Sequence, residues 1–412
     1  MRTFHLICVF WGEAYRRHFL EVCLSALLGP GNLEALAGAE GEEGTARPVL
    51  VLCTTADDRR ASERTPQLRA AARFAEIRFL DIGAPECFGN KYLAMSHGHR
   101  LAARQAFEEK ACGIFLTPDM ILSAGSLNHL RRWQAEGAAA VLCAAIRFEE
   151  EGVMRALADY RAQDGALDLA SGVLVDIGVD NLHLEARNMI WHSPAFARFP
   201  YNVIFPTRDG AVLHSFSWAP LLLDYASLES HDESVFDDWT LDGDYVARNF
   251  GGMLDEGRLK VVTDSRDIML VSLTPAADRS FIPEARPEAP KTLNRLPLIG
   301  RLYRIARLHE VYANVRTDGL KRALFSVPVH LYGRRNRAEF PDRVLVGERA
   351  HRIVARVPSP GFLTTFATGL ARNGPAAALN YALTTPLALI PTPWRRRLKA
   401  LIRPADGSRD RR

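Results

Sequence analysis

Residues 90–120 read NKYLAMSHGHRLAARQAFEEKACGIFLTPDM, and two periods meet inside them. Leu93, Ala94, His97, Leu101 and Ala102 recur at helical spacing, with Arg100, Arg104 and Glu108 elsewhere around the same helix. Gly113–Thr117 then runs apolar without alternation, as a strand buried on both faces does, and Asp119 follows at once. The pattern repeats outward in both directions. Phe4–Trp11 (FHLICVFW), Pro48–Thr54 (PVLVLCT), Glu76–Ile82 (EIRFLDI) and Ala138–Ile146 (AAAVLCAAI) read as further strands. Ala14–Leu28, Arg59–Phe74, Asn90–Lys110 and Ser126–Glu136 read as helices between them. Strands alternating with helices predict βαβ units: an α/β protein with a mostly parallel sheet flanked by helices. Ligands of such sheets bind outside the carboxyl ends of the strands.

Beyond this core the pattern loosens. Residues 29–47 are rich in Gly, Ala and Glu and read as a surface excursion, and 150–235 mixes aromatics with turn signals. Order returns over 236–274, with a helix near Tyr245–Asp255 and a strand at Leu259–Thr263. The Pro-rich run 283–297 (PEARPEAPKTLNRLP) reads as a linker, so the expected division is a domain over 1–275, a linker over 276–297 and an extension over 298–412.

Charge follows that division. The 412 residues carry a formal net charge of +4, yet residues 291–412 hold 24 Lys+Arg against 7 Asp+Glu, leaving 28 basic and 41 acidic residues in 1–290. An asymmetry of this size predicts that the tail meets an anionic surface. Cys8, Cys23, Cys53, Cys87, Cys112 and Cys143 all precede residue 144 without CxxC spacing. Cys8, Cys53 and Cys143 sit inside apolar runs, which fits reduced thiols in a cytoplasmic protein better than a disulfide framework. The N-terminal run Thr3–Trp11 is too short for a signal peptide, and no stretch reaches the ~18 apolar residues of a membrane span.

Two acidic sites stand out. Asp119 ends a buried strand, where a carboxylate can hold Mg²⁺ or Mn²⁺ against nucleotide phosphates, or simply cap the turn before a helix beginning near Ser123. In Asp242-Gly-Asp244-Tyr-Val-Ala-Arg248, two acids open a helix. They can act as N-cap and first-turn acid, or one can serve as general base toward an acceptor hydroxyl. His183, His192, His214 and His231 gather in the irregular region with Trp191, Trp218 and Trp239, as structural histidines or, in His214-Ser-Phe-Ser-Trp218, as a metal ligand beside a sugar-stacking ring.

Together the two acidic motifs resemble the family 2-type GT-A glycosyltransferases. Asn90-Lys91…Ala94…Gly98…Ala102…Phe115-Leu-Thr-Pro-Asp119 looks like their helix leading to a strand that ends in an Asp-x-Asp metal motif. Asp242-Gly-Asp244-Tyr-Val-Ala-Arg248 is similar to their Glu-Asp-x-Asp-Leu-x-x-Arg segment, with Leu259–Thr263 in place of the strand that follows. The resemblance spans about residues 1–275 and implies a GT-A, Rossmann-like fold with a basic helical C-terminal extension. It also implies transfer of a sugar from a nucleoside diphosphate donor to a hydroxyl of a cell-surface glycan or lipid-linked acceptor, with inversion. On that reading Asp119 is the last acid of a divalent-cation motif, with His214 as a late ligand, and Asp242 is the catalytic base, with Asp244 the second catalytic-site residue. Trp11, Gly12, Glu13 and Asp57 contact the nucleotide, and Lys91 lies near the phosphates. Two positions depart from the pattern: Thr117 stands where the first acid belongs, and Leu241 where the family carries Glu. The same missing acid leaves a non-catalytic GT-A-like domain that binds a glycan or a partner as an alternative. A nucleotidyltransferase is a second one, though the chain lacks an early Gly-rich phosphate loop.

In the tail, apolar Ala376–Pro391 precedes Trp394-Arg-Arg-Arg-Leu-Lys399-Ala-Leu-Ile-Arg403, and Leu296–Tyr312 is a second basic amphipathic stretch. Both fit peripheral binding to an anionic inner membrane face, ahead of docking on the acidic core. Nucleic-acid binding lacks a recognisable module.

Overall fold

The computed structural model describes residues 2–37, 47–280 and 324–336, except 192, 194, 198, 199, 216, 239 and 326. β1 (Phe4–Val9) feeds α1 (Glu13–His18), which runs through a π-helical turn into α2 (Leu24–Leu27) and then α3 (Leu33–Ala37). β2 (Val49–Thr54), α4 (Ala56–Ser62), α5 (Pro66–Ala71), β3 (Glu76–Asp81) and α6 (Lys91–Glu108) lead to β4 (Cys112–Leu116) and β5 (Met120–Leu122). α7 (Ser126–Ala135), β6 (Ala140–Ala144) and β7 (Arg147–Glu149) follow, then α8 (Glu150–Leu157), α9 (Ser171–Asp180) and α10 (Leu184–Arg187). Next come β8 (Asn202–Thr207), β9 (Gly210–Ser215), β10 (Trp218–Asp224), α11 (Gly243–Phe250), β11 (Leu259–Val261), β12 (Leu270–Thr274) and β13 (Val329–Tyr332).

The central sheet has the order β11-β6-β10-β4-β1-β2-β3. Every pairing in it is parallel except those of β10, which runs antiparallel between β4 and β6. β1, β2, β4 and β6 are buried along their whole lengths, as their unbroken apolar runs predict. Leu6, Cys8 and Phe10 join a core with Phe19, Leu24, Leu68, Leu127 and Leu130 on one face. On the other face α6 lies so close that a Cβ on Gly98 would meet Val9 Cγ1 at 2.6 Å. Small buried residues (Ala94, Ala102 and Ala106) continue that contact along α6.

β10 carries Pro220 although it is paired on both sides, and its register shifts between Pro220 and Leu222. A proline has no N–H for the ladder, and a bulge accommodates the loss. Two smaller sheets complete the unit: β5-β12-β7 beside the carboxyl ends, and β13-β9-β8.

The expected strands all form, so the fold is the mostly parallel, helix-flanked α/β arrangement that the GT-A resemblance implies. Three expectations change. The helix expected over 59–74 breaks in two, because Thr65 accepts the Leu68 N–H as an N-cap and Pro66 takes the first position of a new helix. The described residues of 150–235 include the regular elements α8–α10 and the β8–β9 hairpin. The boundary at 275 also leaves out β13, which pairs antiparallel with β9 and belongs to the first of two units, Met1–Pro287 with Ala323–Arg352. The second unit, Glu288–Arg322 with Ile353–Arg412, lies outside the described residues, and so do both basic stretches expected at a membrane. Among the described residues no helix is long and apolar enough to cross a membrane. All six cysteines are free thiols; burial pushes those of Cys53 and Cys143 up to about 12, which leaves them unreactive.

Candidate active site

β1 pairs with β2 on one side and β4 on the other, so the strand order reverses at β1, and it is beyond the carboxyl ends of the strands at such a reversal that sheets of this kind bind ligands. The register Cys8↔Leu116 places the Phe10–Glu13 loop level with Thr117–Asp119. Gly12 turns that loop at φ 80° and ψ 157°, a conformation that belongs almost entirely to glycine. Trp11 is half-buried, and Glu13 opens α1 on the surface.

The Gly12 N–H donates to Asp58 Oδ2 at 2.8 Å, Arg16 Nη1 meets Asp58 Oδ1 at 2.6 Å, and Thr55 Oγ1 donates to Asp58 Oδ2 at 2.9 Å. Asp57, the residue expected at the nucleotide, takes no part in this network. Asp57 points outward, 86% exposed, and pairs with Arg60. Adjacent residues in the first turn of α4 face about 100° apart, so only one of the two acids can reach the β1 loop.

Past β4, Asp119 meets two side chains of the small sheet β5-β12-β7, in which Ser272 stands opposite both Met120 and Arg147. Ser272 Oγ donates to Asp119 Oδ2 at 3.1 Å, Arg147 Nη1 donates to Ser272 Oγ at 2.9 Å, and Arg147 Nη1 lies 3.6 Å from Asp119 Oδ2. The Asp119 side chain is 16% exposed and that of Arg147 38%, so the pair sits at the rim.

That surrounding does not suit a divalent cation. Thr117 replaces the first acid, and the group beside Asp119 is a guanidinium, which repels a second cation. No cluster of three His, Cys, Asp or Glu residues able to hold a metal occurs among the described residues. The expectation for His214 is corrected as well. It is fully buried in β9, its Nδ1 2.8 Å from the Phe325 carbonyl and its ring against Phe205 and Phe325.

The other histidines serve local structure. His183 Nδ1 accepts the Glu185 N–H to cap α10, and His231 Nε2 lies 2.6 Å from the Tyr245 hydroxyl. Trp191 and Trp218 belong to the core: Trp191 stacks on Phe205, and buried Trp218 donates to the Ser215 carbonyl. His192 and Trp239 lie outside the described residues.

α11 begins at Asp242, whose Oδ1 accepts the Asp244 N–H at 2.8 Å as an N-cap. Asp242 is half-buried and Asp244 exposed. The helix packs on β10 through Tyr245, whose hydroxyl is 3.0 Å from that of Tyr225, both rings being fully buried. It then leads into β11, parallel to β6, so it crosses from the carboxyl edge of the sheet to the amino edge. Asp242 therefore belongs to the same edge as Asp119. The preceding segment runs the same way: Glu233 pairs with Arg104 and Asp237 with Arg100, climbing toward the start of α6. Lys91 opens α6 at that edge, exposed, with its Nζ 5.3 Å from the Tyr92 ring centre.

By chain direction Trp11–Glu13, Lys91, Asp119 and Asp242 fall toward the carboxyl edge of the central sheet, whereas His214 lies in β9 of a separate sheet. Sequence reasoning missed Asp58, Arg147 and Ser272. Arg147 carried a signal, since it directly follows the apolar run Ala138–Ile146, as Asp119 follows its own strand.

No protein-family profile matches the chain, and no curated protein sequence matches it. Among solved structures, it is similar to the crystal structure of S. aureus TarS at TM-score 0.32 and 11% identity, covering 92% of this chain but only 54% of that one. The S. aureus TarS 1-349 structure gives TM-score 0.27 and 11% identity, over 96% of this chain and 86% of that one. The apo form of mouse xyloside xylosyltransferase 1 gives TM-score 0.22 and 11% identity, over 38% and 58% respectively.

Proposed function

We propose that this chain is a glycosyltransferase that moves a sugar from a nucleoside diphosphate donor to a hydroxyl of a glycan or lipid-linked acceptor, with inversion. One observation carries the reading: the strand order reverses between β1 and β4, and Asp119 stands at that reversal, on the edge to which α11 brings Asp242. Nucleotides bind at such reversals. The Gly12 turn and the rim carboxylates would frame the donor. Asp242 would accept the proton of the attacking hydroxyl while the leaving diphosphate departs from the opposite side of the anomeric carbon. Sequence outside the described residues, Trp394–Arg403 above all, supports an acceptor at an anionic membrane surface.

Thermal-shift measurements with UDP-sugars, GDP-sugars and free nucleoside triphosphates test the reading. Stabilisation by a nucleotide sugar, with release of the nucleoside diphosphate on adding acceptor, is the expected outcome. Stabilisation by triphosphates alone would move the assignment to nucleotidyl transfer. No response to any nucleotide would reduce the domain to a binding module.

A further inference from the structure

We propose that Arg147 takes the role of a divalent cation at this site: its guanidinium receives the donor diphosphate and the negative charge that grows on it during transfer. The inference rests on the transferase reading above. It begins from the donor set. Asp119 has no second acid beside it, because Thr117 occupies that position, and its charge is already met by Arg147 Nη1 at 3.6 Å. A dication there would give up the acid that normally shares its coordination and would face a guanidinium at close range.

The same arrangement suits an anion. Arg147 begins β7 just past the carboxyl end of β6, on the ligand-binding edge, and its side chain keeps 38% of its surface open. The contacts it makes use Nη1: Ser272 Oγ at 2.9 Å and Asp119 Oδ2 at 3.6 Å. A guanidinium carries five N–H donors in a planar fork that matches two phosphate oxygens, so anchoring through Nη1 leaves Nε and Nη2 to face a diphosphate. Asp119 becomes a positioning residue that holds the fork in place, with Ser272 as the hinge between them.

In the step this serves, the bond between the anomeric carbon and the β-phosphate oxygen breaks and its electron pair stays on that oxygen. The acceptor oxygen forms the new bond, and its proton passes to Asp242. Charge therefore builds on the diphosphate, where a fixed cation stabilises it without reorganising.

Titration calorimetry of the full chain with UDP and with GDP, each in excess EDTA and in excess MnCl₂, tests this. One of the two should bind, with affinities in the two conditions within about threefold. Arg147→Gln should weaken binding in EDTA by about 10- to 100-fold, the scale of a lost charge-assisted contact. Arg147→Lys, which keeps the charge but not the fork, should fall between, and it remains informative if the glutamine variant does not fold. Wild-type binding that needs Mn²⁺ would overturn the inference and leave the transferase reading standing. Wild-type affinity for either Arg147 variant in EDTA would do the same. Failure of the wild type to bind either nucleotide in both conditions would remove the transferase reading and this one together.

Discussion

Asp58 Oδ2 accepts the Gly12 N–H at 2.8 Å, joining the loop after β1 to the first turn of α4 across 46 residues of sequence. The same carboxylate holds Arg16 and Thr55, so one buried acid fixes the loop after β1. Asp58→Ala leaves the Gly12 N–H and the Arg16 guanidinium without their partner. The expected cost is about 2–3 kcal/mol, since a partly buried charge loses its counter-ion. Asp58→Asn keeps an acceptor toward Gly12 and should cost about 1 kcal/mol. Urea unfolding reads both values, and a loss below about 0.5 kcal/mol for the alanine variant would show the network to be ornamental.

Asp242 is both helix cap and proposed base, and the two roles separate cleanly. Asn caps a helix about as well as Asp, so Asp242→Asn should leave the melting temperature nearly unchanged. Removing the carboxylate should lower transfer by about 10²- to 10⁴-fold. Turnover at the wild-type rate in a folded Asp242→Asn protein would end the base assignment.

His99 lies on α6, buried edge-on to Phe115, and burial lowers its pKa from 6.5 to about 4. The unfolded chain therefore binds a proton at a pH where the folded chain does not. Its contribution is complete above pH 6.5 and is lost as the pH falls through about 4. The difference amounts to about 3 kcal/mol at most. Stability measured between pH 7 and pH 4 should fall more steeply in the wild type than in His99→Leu, and parallel curves would contradict the burial argument.

Gly98 marks the closest approach of α6 to the sheet. A methyl there meets Val9 Cγ1 at 2.6 Å and Cys53 Cβ at 3.3 Å, so Gly98→Ala should destabilise by about 1–3 kcal/mol although alanine favours helices. A melting temperature at or above the wild type's would mean that the helix can move away freely.

Period and composition sufficed for the framework. Apolar runs such as Val49–Thr54 need no partner to be read as buried strands, and the helix after Asn90 announces itself by spacing, because solvent exposure imprints its period on the residues that face it. The same logic put Asp119 and Asp242 at element ends. It failed over 150–235 and at β10, where Pro220 disguises a central strand that a bulge makes tolerable.

Which side chains meet was settled by long-range packing. Asp58 rather than Asp57 reaches Gly12 because successive residues in the first turn of α4 face about 100° apart and Asp58 is the one turned to the β1 loop. Arg147 stands beside Asp119 because β7 and β5 flank the same strand, β12, far along the chain. His214 became a core residue because β13, more than a hundred positions later, closes over β9. Local pattern records only whether a residue faces water or core. The identity of its neighbour depends on pairings between distant segments, and those leave no mark on the spacing within either one.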